Sequence, residues 1–392
     1  MILATATTGH AIARTLGRLG VSAYGIYPTR SAVTRSRYWR GIRILDLSAF
    51  PTSASAASLT RFGRSLPGSP QLITTTDDQA RFVADHADLL GETFTFPRVS
   101  SELIATLTNK RLLSELCSRL KVPTPSSYFP ADSEELQRLV ETVRLPIILK
   151  GTEDRAAFRY TKAVARTRRR LAEICLTIEV RDYPGLMLQE YVPAGTTGSR
   201  WLFNGYFDAS HRCLFGLTAI KVRENPISGG VASLAECRWN PRLAAEAIAF
   251  LEKIEYGGPV DMDYCHDEAT DEYKLLDVNP RLGATFRALV DDRGWDVARA
   301  MFADQNGVPV DTGRSLARRR WLAEHADVVA SVRNAQAGQL RLRSWLWSLI
   351  EVRELAWFSR DDLRPLLDLA RYAVTKLRRP RAAWRGYSRY RD

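Results

Sequence analysis

Cysteine is scarce and scattered: Cys117, Cys175, Cys213, Cys237 and Cys265 are the five in this 392-residue chain, and no two stand in C-x-x-C spacing. That pattern gives neither a zinc ribbon nor a disulfide framework, so a reducing cytoplasm is the expected compartment. No apolar run approaches the roughly 20 residues that span a bilayer. The N-terminus, MILATATTGHAIARTLG, lacks the basic start, long apolar stretch and small-residue cleavage site of a secretory signal. Histidine is sparse too. His10, His86, His211, His266 and His325 are dispersed, which leaves no nucleophilic triad to read, and His266 falls in a predicted turn. Internal repeats and low-complexity runs are also missing.

What is present is an ordinary globular balance, with 45% hydrophobic and 26% charged residues. The length suits two or three domains at about 100–200 residues each. The net charge of +12 is uneven: residues 306–392 hold 18 Lys/Arg against 9 Asp/Glu, so +9 of it lies there. Within that region WLWSLIEVRELAWF (345–358) is apolar and aromatic, and residues 371–392 carry eight Lys/Arg and one acid. Such a segment suits an anionic membrane surface or anionic polymer. It equally suits a first helix packed on the body and a last one left solvated. No recognised nucleic-acid module accompanies the charge, so nucleic acid is not an expected partner.

Along the chain, ILATATTGHAIARTLGRLGVSAYGIYP reads as strand, glycine turn, amphipathic helix (Ile12, Leu16, Leu19) and strand, a βα unit of a parallel sheet. Its single Gly9 falls short of a dinucleotide fingerprint. The stretch TTTDD reads as a strand end and helix cap. From about Ser100, SSELIATLTNKRLLSELCSRLKVPTP predicts one helix carrying Leu112, Leu113, Leu116 and Leu120, stopped by Pro123 and Pro125. The strand LPIILK, a polar loop over 151–161, a basic helix over 168–174 and the strand GLMLQEYV follow. Short strands then alternate with turns, interrupted by the helix PRLAAEAIAFLEKI, which predicts an α+β mixture with an antiparallel sheet. Beyond about Asp311 the chain reads as helical and basic.

The densest chemistry lies in PVDMDYCHDEATDEYKLLDVNPR (259–281). If its two strands form a hairpin, period-two alternation sets Asp261 and Asp263 on one face of the first, and Asp277 and Asn279 on one face of the second. Converging oxygen donors on rigid strands suit Mg²⁺, which needs one or two carboxylates and completes its octahedron with water and substrate phosphates. Arg281, in the same alternation, adds a fork of donors for a phosphoryl or carboxylate oxygen. A solvated polar face of an edge hairpin is the plainer alternative.

The block LLDVNPRLG resembles the E-x-N-P-R signature of ATP-grasp enzymes, with Asp277 where many members have glutamate. The upstream fragments resemble the same family in order. LTNKRLLSELCSRLKVPTP is similar to its entry helix, which makes Lys110 a phosphate ligand, and LPIILKG to the strand ending in a second phosphate lysine, Lys150. LQEYVP is similar to the adenine hinge, where the backbone of Glu190, Tyr191 and Val192 reads the base edge and Gln189 or Glu190 faces the amino group. The resemblance implies α/β plus α+β architecture. A Rossmann-like pre-ATP-grasp domain is expected over 1–100, ATP-grasp subdomains over 101–185 and 186–310, and a helical basic extension over 311–392. It implies ATP with Mg²⁺, two ions with Mn²⁺ as a substitute, held by Asp263, Asp277 and Asn279.

The chemistry implied is ADP-forming ligation of a small-molecule carboxylate to an amine through an acyl phosphate. A triphosphate carrying about four negative charges must be neutralised, chiefly by positioning and electrostatics. Lys110, Lys150 and Arg281 supply cations, and Lys221 with Arg223, on a shared strand face in AIKVRENPISGGVAS, are expected to aim at the γ-phosphate or acyl phosphate, with a surface basic pair as the alternative. The turn Ser228-Gly229-Gly230 offers backbone N–H groups to an anion. Two departures from the family pattern stand out. The lid GTEDRAAFRYTKA contains only Gly151, which is closer to the D-aspartate-ligase-like carboxylate–amine branch with Lys162 as its distal lysine. No acid follows the hinge in PAGTTGSRW to hold ribose, leaving Thr197 or Ser199. A nucleotide-binding regulator without turnover, a membrane-associated scaffold and a homodimer stay open.

Overall fold

A computed structural model describes residues 1–3, 6–47, 51–152, 163–179, 183, 185–193, 200–225, 230–315, 318–336, 338 and 340–377. The first hundred residues hold strands β1 (Ile2–Leu3), β2 (Ala23–Tyr27) and β3 (Trp39–Ile44). Among them lie helices α1 (Ala6–Arg18), α2 (Ser53–Arg64), α3 (Asp77–Asp85) and α4 (Ala87–Gly91). The three strands pair in parallel in sequence order, and Ile2 also bridges Ile73 in parallel, so the predicted βα unit is present. Ile12 and Leu16 of α1 are wholly buried. Leu19 is half exposed instead, because the helix stops at Arg18 and Gly20 turns the chain with φ 80°. The TTTDD stretch caps α3 as expected: the Thr76 side chain accepts from the Gln79 amide, and Asp77 and Asp78 occupy the first turn.

Next come α5 (Ser101–Thr108), α6 (Lys110–Leu120), β4 (Ser127–Tyr128), α7 (Ser133–Thr142), β5 (Ile147–Gly151), β6 (Ala163–Ala165), α8 (Arg168–Cys175) and β7 (Leu186–Glu190). The single helix expected from Ser100 is two. Asn109 breaks it, its side chain accepting from the amides of Arg111 and Leu112 and so capping α6. Leu113 and Leu116 are buried while Leu112 faces solvent. The stop is at Lys121, in the left-handed region at φ 58°, two residues before Pro123.

Strands β8 (Arg200–Phe207), β9 (Cys213–Asn225) and β10 (Val231–Cys237) precede helix α9 (Pro241–Lys253) and strands β11 (Gly258–Asp267) and β12 (Glu272–Asn279). Asn240 caps α9 and Pro241 opens it, which suits a residue lacking an N–H. The remainder holds α10 (Val297–Gln305), β13 (Arg320–Leu322), α11 (Glu324–Gln336), α12 (Leu342–Leu349), β14 (Val352–Leu355) and α13 (Arg364–Leu377). The C-terminal helices are thus joined by two short strands that periodicity does not show. Sheet order is β12-β11-β8-β9-β10-β13-β14 in the larger mixed sheet and β4-β7-β5-β6 in the smaller antiparallel one.

By compactness the chain forms two units, one of residues 1–101, 202–261 and 279–392, the other of residues 102–201 and 262–278. The first has a core built around Ile12, Tyr206, Phe286 and Trp321, with a second cluster around Leu59, Phe82 and Leu90 under the parallel sheet. The C-terminal segment belongs to this unit by more than packing. Buried Arg14 of α1 pairs with buried Asp362 at 3.0 Å and donates to the Trp357 carbonyl at 2.7 Å. The same carboxylate accepts from the Ser36 hydroxyl and the Arg37 amide. The second unit's core gathers Leu136, Ile147, Leu149, Leu171 and Leu188 across the small sheet. No helix among the described residues is long and apolar enough to cross a membrane.

Candidate active site

In the second unit, the hairpin β11–β12 and the first turn of α6 meet. Lys110 is buried at the start of α6, its amide donating to the Thr152 carbonyl at 3.0 Å and its Nζ 3.9 Å from Asp277 Oδ1. A buried ammonium needs a compensating charge, and Asp277, half-buried on β12, supplies it. Asp263 stands half-buried on β11, and Lys150 on β5 opposite Met187 of β7.

The segment after β7, where the sequence resembles an adenine hinge, is largely bonded by the protein itself. The Glu190 amide donates to Ser126 O at 2.8 Å and the Tyr191 amide to Pro146 O at 3.0 Å. The Val192 amide donates to no described residue, while the Val192 carbonyl accepts from Arg200. Gln189 is buried with its amide nitrogen on Ser127 Oγ at 3.0 Å. Tyr191 is buried with the guanidinium groups of Arg166 and Arg200 near its ring. The Glu190 carboxylate turns to Lys274, whose Nζ lies 3.3 Å from both its oxygens and 2.7 Å from Asp267 Oδ2. Burial opposes the Lys274 charge, but Asp267 and Glu190 outweigh it and hold the ammonium above its ordinary value. The same hydrogen bond from Lys274 holds the Asp267 carboxyl below its own, against burial.

In the first unit, Arg281 is the centre of a carboxylate and amide cage. Its Nη1 lies 3.2 Å from Asp261 Oδ2, its Nη2 donates to Asn279 Oδ1 at 3.0 Å, and its Nε lies 3.3 Å from Asp77 Oδ1. Asn279 donates through Nδ2 to the Asp261 carbonyl at 3.0 Å, and Asn204 holds Asp261 Oδ1 at 2.6 Å. Gly283 is what lets this cage close: a Cβ built there would stand 1.9 Å from Asp261 Oδ2. On β9, Lys221 Nζ reaches the Gly230 carbonyl at 3.4 Å. Arg223 is buried elsewhere, forked onto both oxygens of Asp327 at 2.7 and 2.9 Å and onto Ser348. The pairing of β9 with β10 shifts register between these two cations, Lys221 lying opposite Ala235 and Arg223 opposite Leu234, so simple alternation does not carry through.

Several expectations fall outside the described residues: Lys162 and the lid over 153–162, Thr197 and Ser199, and Ser228 with Gly229. His266 is in strand β11 rather than a turn, bonded to Asp271 at 2.8 Å and stacked near Tyr273. Asp77, Asn204 and Lys274 are not among the residues that the sequence singles out. Only the DD doublet after a cap threonine signals one of them, and it signals a helix start.

Asp263 and Asp277 of the second unit, and by itself Asn279 of the first, each carry the hard oxygen donors that Mg²⁺ or Mn²⁺ takes. Among the described residues no group of three or more His, Cys, Asp or Glu could hold a metal ion.

No protein-family profile matches the chain. A curated relative, the D-aspartate ligase of Enterococcus faecium (strain Aus0004), is 25% identical over 246 residues, 60% of this chain. The match spans 58% of that relative's length. Among solved structures, the N5-carboxyaminoimidazole ribonucleotide synthetase from Thermus thermophilus aligns with TM-score 0.61 and 16% identity, covering 81% of each chain. The L-amino acid ligase from Bacillus licheniformis aligns with TM-score 0.57 and 13% identity over 80% of this chain and 74% of that one. The biotin carboxylase domain of the Hydrogenobacter thermophilus 2-oxoglutarate carboxylase, solved with MgADP and bicarbonate, gives 0.59 and 13% over 80% and 70%. The fold is the ATP-grasp fold.

Proposed function

We propose that this protein is an ATP-dependent carboxylate–amine ligase. The observation that carries the reading is Lys110, buried in the second unit beside Asp277 of the D-V-N-P-R segment, on an ATP-grasp fold. Lys110, Lys150 and Lys221 take the phosphates. The Val192 amide and the Glu190 carbonyl read the adenine edge, since the amides of Glu190 and Tyr191 are already bonded within the protein. Gln189 and Tyr191 shape the base pocket from behind. Asp263, Asp277 and Asn279 hold Mg²⁺, which supplies charge neutralisation at the phosphates. Arg223, bound to Asp327, steadies the strand that carries Lys221 and reaches the phosphate only if that pair opens.

In the reaction a carboxylate oxygen attacks the γ-phosphorus and the bond to the β–γ bridging oxygen breaks, releasing ADP. The amine nitrogen then attacks the acyl carbon, the C–O bond to phosphate breaks, and the amine gives up a proton as the amide forms. Acyl phosphates hydrolyse readily, which is the reason for a lid. The resemblance to a D-aspartate ligase makes an amino acid, aspartate first, the carboxylate to test. The measurement is ADP release with a panel of amino acids and amines, with the amide identified by mass. Thermal stabilisation by ATP–Mg²⁺ should vanish in Lys150→Ala. If no nucleotide shifts the melting of the intact protein, the reading fails.

A further inference from the structure

Helix α12 carries its apolar side on the outside. None of its residues is buried, and Leu342, Leu346, Trp347 and the following Ile350 are each 53–71% exposed. Leu342, Leu346 and Ile350 recur at four-residue spacing and form one ridge, with Trp347 beside it. The polar side is the one fastened to the protein. Ser348 Oγ accepts from Arg223 at 2.7 Å, the Ser348 carbonyl accepts from Arg320 at 3.0 Å, and Trp345 Nε1 donates to Asp327 at 3.0 Å. A surface helix of a globular protein ordinarily does the reverse and buries its apolar stripe. An exposed apolar ridge on a rigidly held helix marks a surface that meets something.

Charge identifies what it meets. Arg341 and Arg343 stand at the start of α12 and Arg353 follows it on β14, and none of the three pairs with a carboxylate among the described residues, while Glu351, the acid between them, is held by Arg320 at 3.2 Å. We propose that α12 docks this protein on an anionic lipid surface, its apolar ridge at the acyl boundary, Trp347 among the headgroups and the arginines on lipid phosphates. A second copy of the chain fits less well, because a two-fold contact sets the same patch of each copy against itself and brings these arginines together. The proposal is independent of the ligase reading.

The test uses the full-length chain without nucleotide, floated with vesicles of phosphatidylcholine alone or mixed with phosphatidylserine. Binding should favour the mixed vesicles by about tenfold or more and weaken as salt rises. The double variant Leu346→Ser, Trp347→Ser should lose about tenfold in binding at an unchanged melting temperature, since both side chains already face water. Arg341→Glu with Arg343→Glu should abolish the preference for phosphatidylserine. Equal flotation of the serine variant and the parent overturns the proposal, as does equal binding to both vesicle types. A dimer in sedimentation velocity that the serine variant disperses, with vesicle binding unaltered, would assign the face to a second copy instead.

Discussion

Replacing Lys274 with methionine removes the cation that Asp267 and Glu190 share, and leaves two carboxylates facing the place where it stood. The side chains are 10%, 15% and 27% exposed, so water screens the leftover charges only in part. Breaking a buried ion pair by deleting one partner costs about 3–5 kcal/mol. Glu190 is the most exposed of the three, which places this case nearer ~2–3 kcal/mol, or a fall in melting temperature of roughly 10 °C for the second unit. The pH dependence separates this from a packing defect. The folded-state pKa of Lys274 is raised above 10.5, so its contribution is present below that value and is lost as pH rises through the folded value. The folded-state pKa of Asp267 is depressed below 3.8, so its contribution is present above that value and is lost as pH falls. The Lys274→Met penalty should therefore hold level near neutral pH and shrink as the solution is acidified toward pH ~4, where Asp267, no longer held down by the ammonium, takes up a proton. The assay is calorimetry of parent and variant across that range, together with KM for ATP, which should rise because Glu190 loses its anchor. A penalty that is the same at acid and neutral pH would refute the electrostatic account, leaving only the lost methylene and ammonium packing.

Two further outcomes are expected. Gly283→Ala should move the Asp261 carboxylate, because the new Cβ would sit 1.9 Å from its Oδ2. With Arg281 displaced by even about 1 Å, a fall near 10²-fold in kcat is expected in an ADP-release assay. His10 is wholly buried, and desolvation first, then the Arg14 charge, lowers its pKa well below 6.5. The unfolded chain takes up the proton that the folded chain refuses, so stability should fall by up to about 1.4 kcal/mol per pH unit below 6.5. Denaturant titration at several pH values should show that slope, and His10→Leu should flatten it.

The fold was legible wherever a local period or a compact motif specified it. The βα start, the cap at Thr76, the helix after Asn240 and the hairpin ending in N-P-R all follow from neighbours within a few residues. What escaped is long-range. Arg281 finds Asp77 from 204 positions away, and nothing near either residue encodes that meeting. Arg223 reads from its surroundings as the partner of Lys221, yet Asp327 takes it, because a buried guanidinium must be neutralised by whichever carboxylate the fold brings up. Lys274 carries no local signal that sets it apart from any strand lysine, and it proves to tie the hinge glutamate to the hairpin. Even the split of α5 from α6 turns on one short polar side chain bonding its own backbone, a choice that leucine periodicity does not see.

The pairing of Arg14 with Asp362 also sets an order for refolding. The two residues stand 348 positions apart, and each doubling of the loop to be closed costs about 0.6 kcal/mol more in chain entropy. Until Trp357 and Asp362 arrive, α1 holds an unneutralised guanidinium that burial would penalise. The first unit therefore completes only when this long loop closes, whereas residues 102–201 of the second unit close over shorter separations.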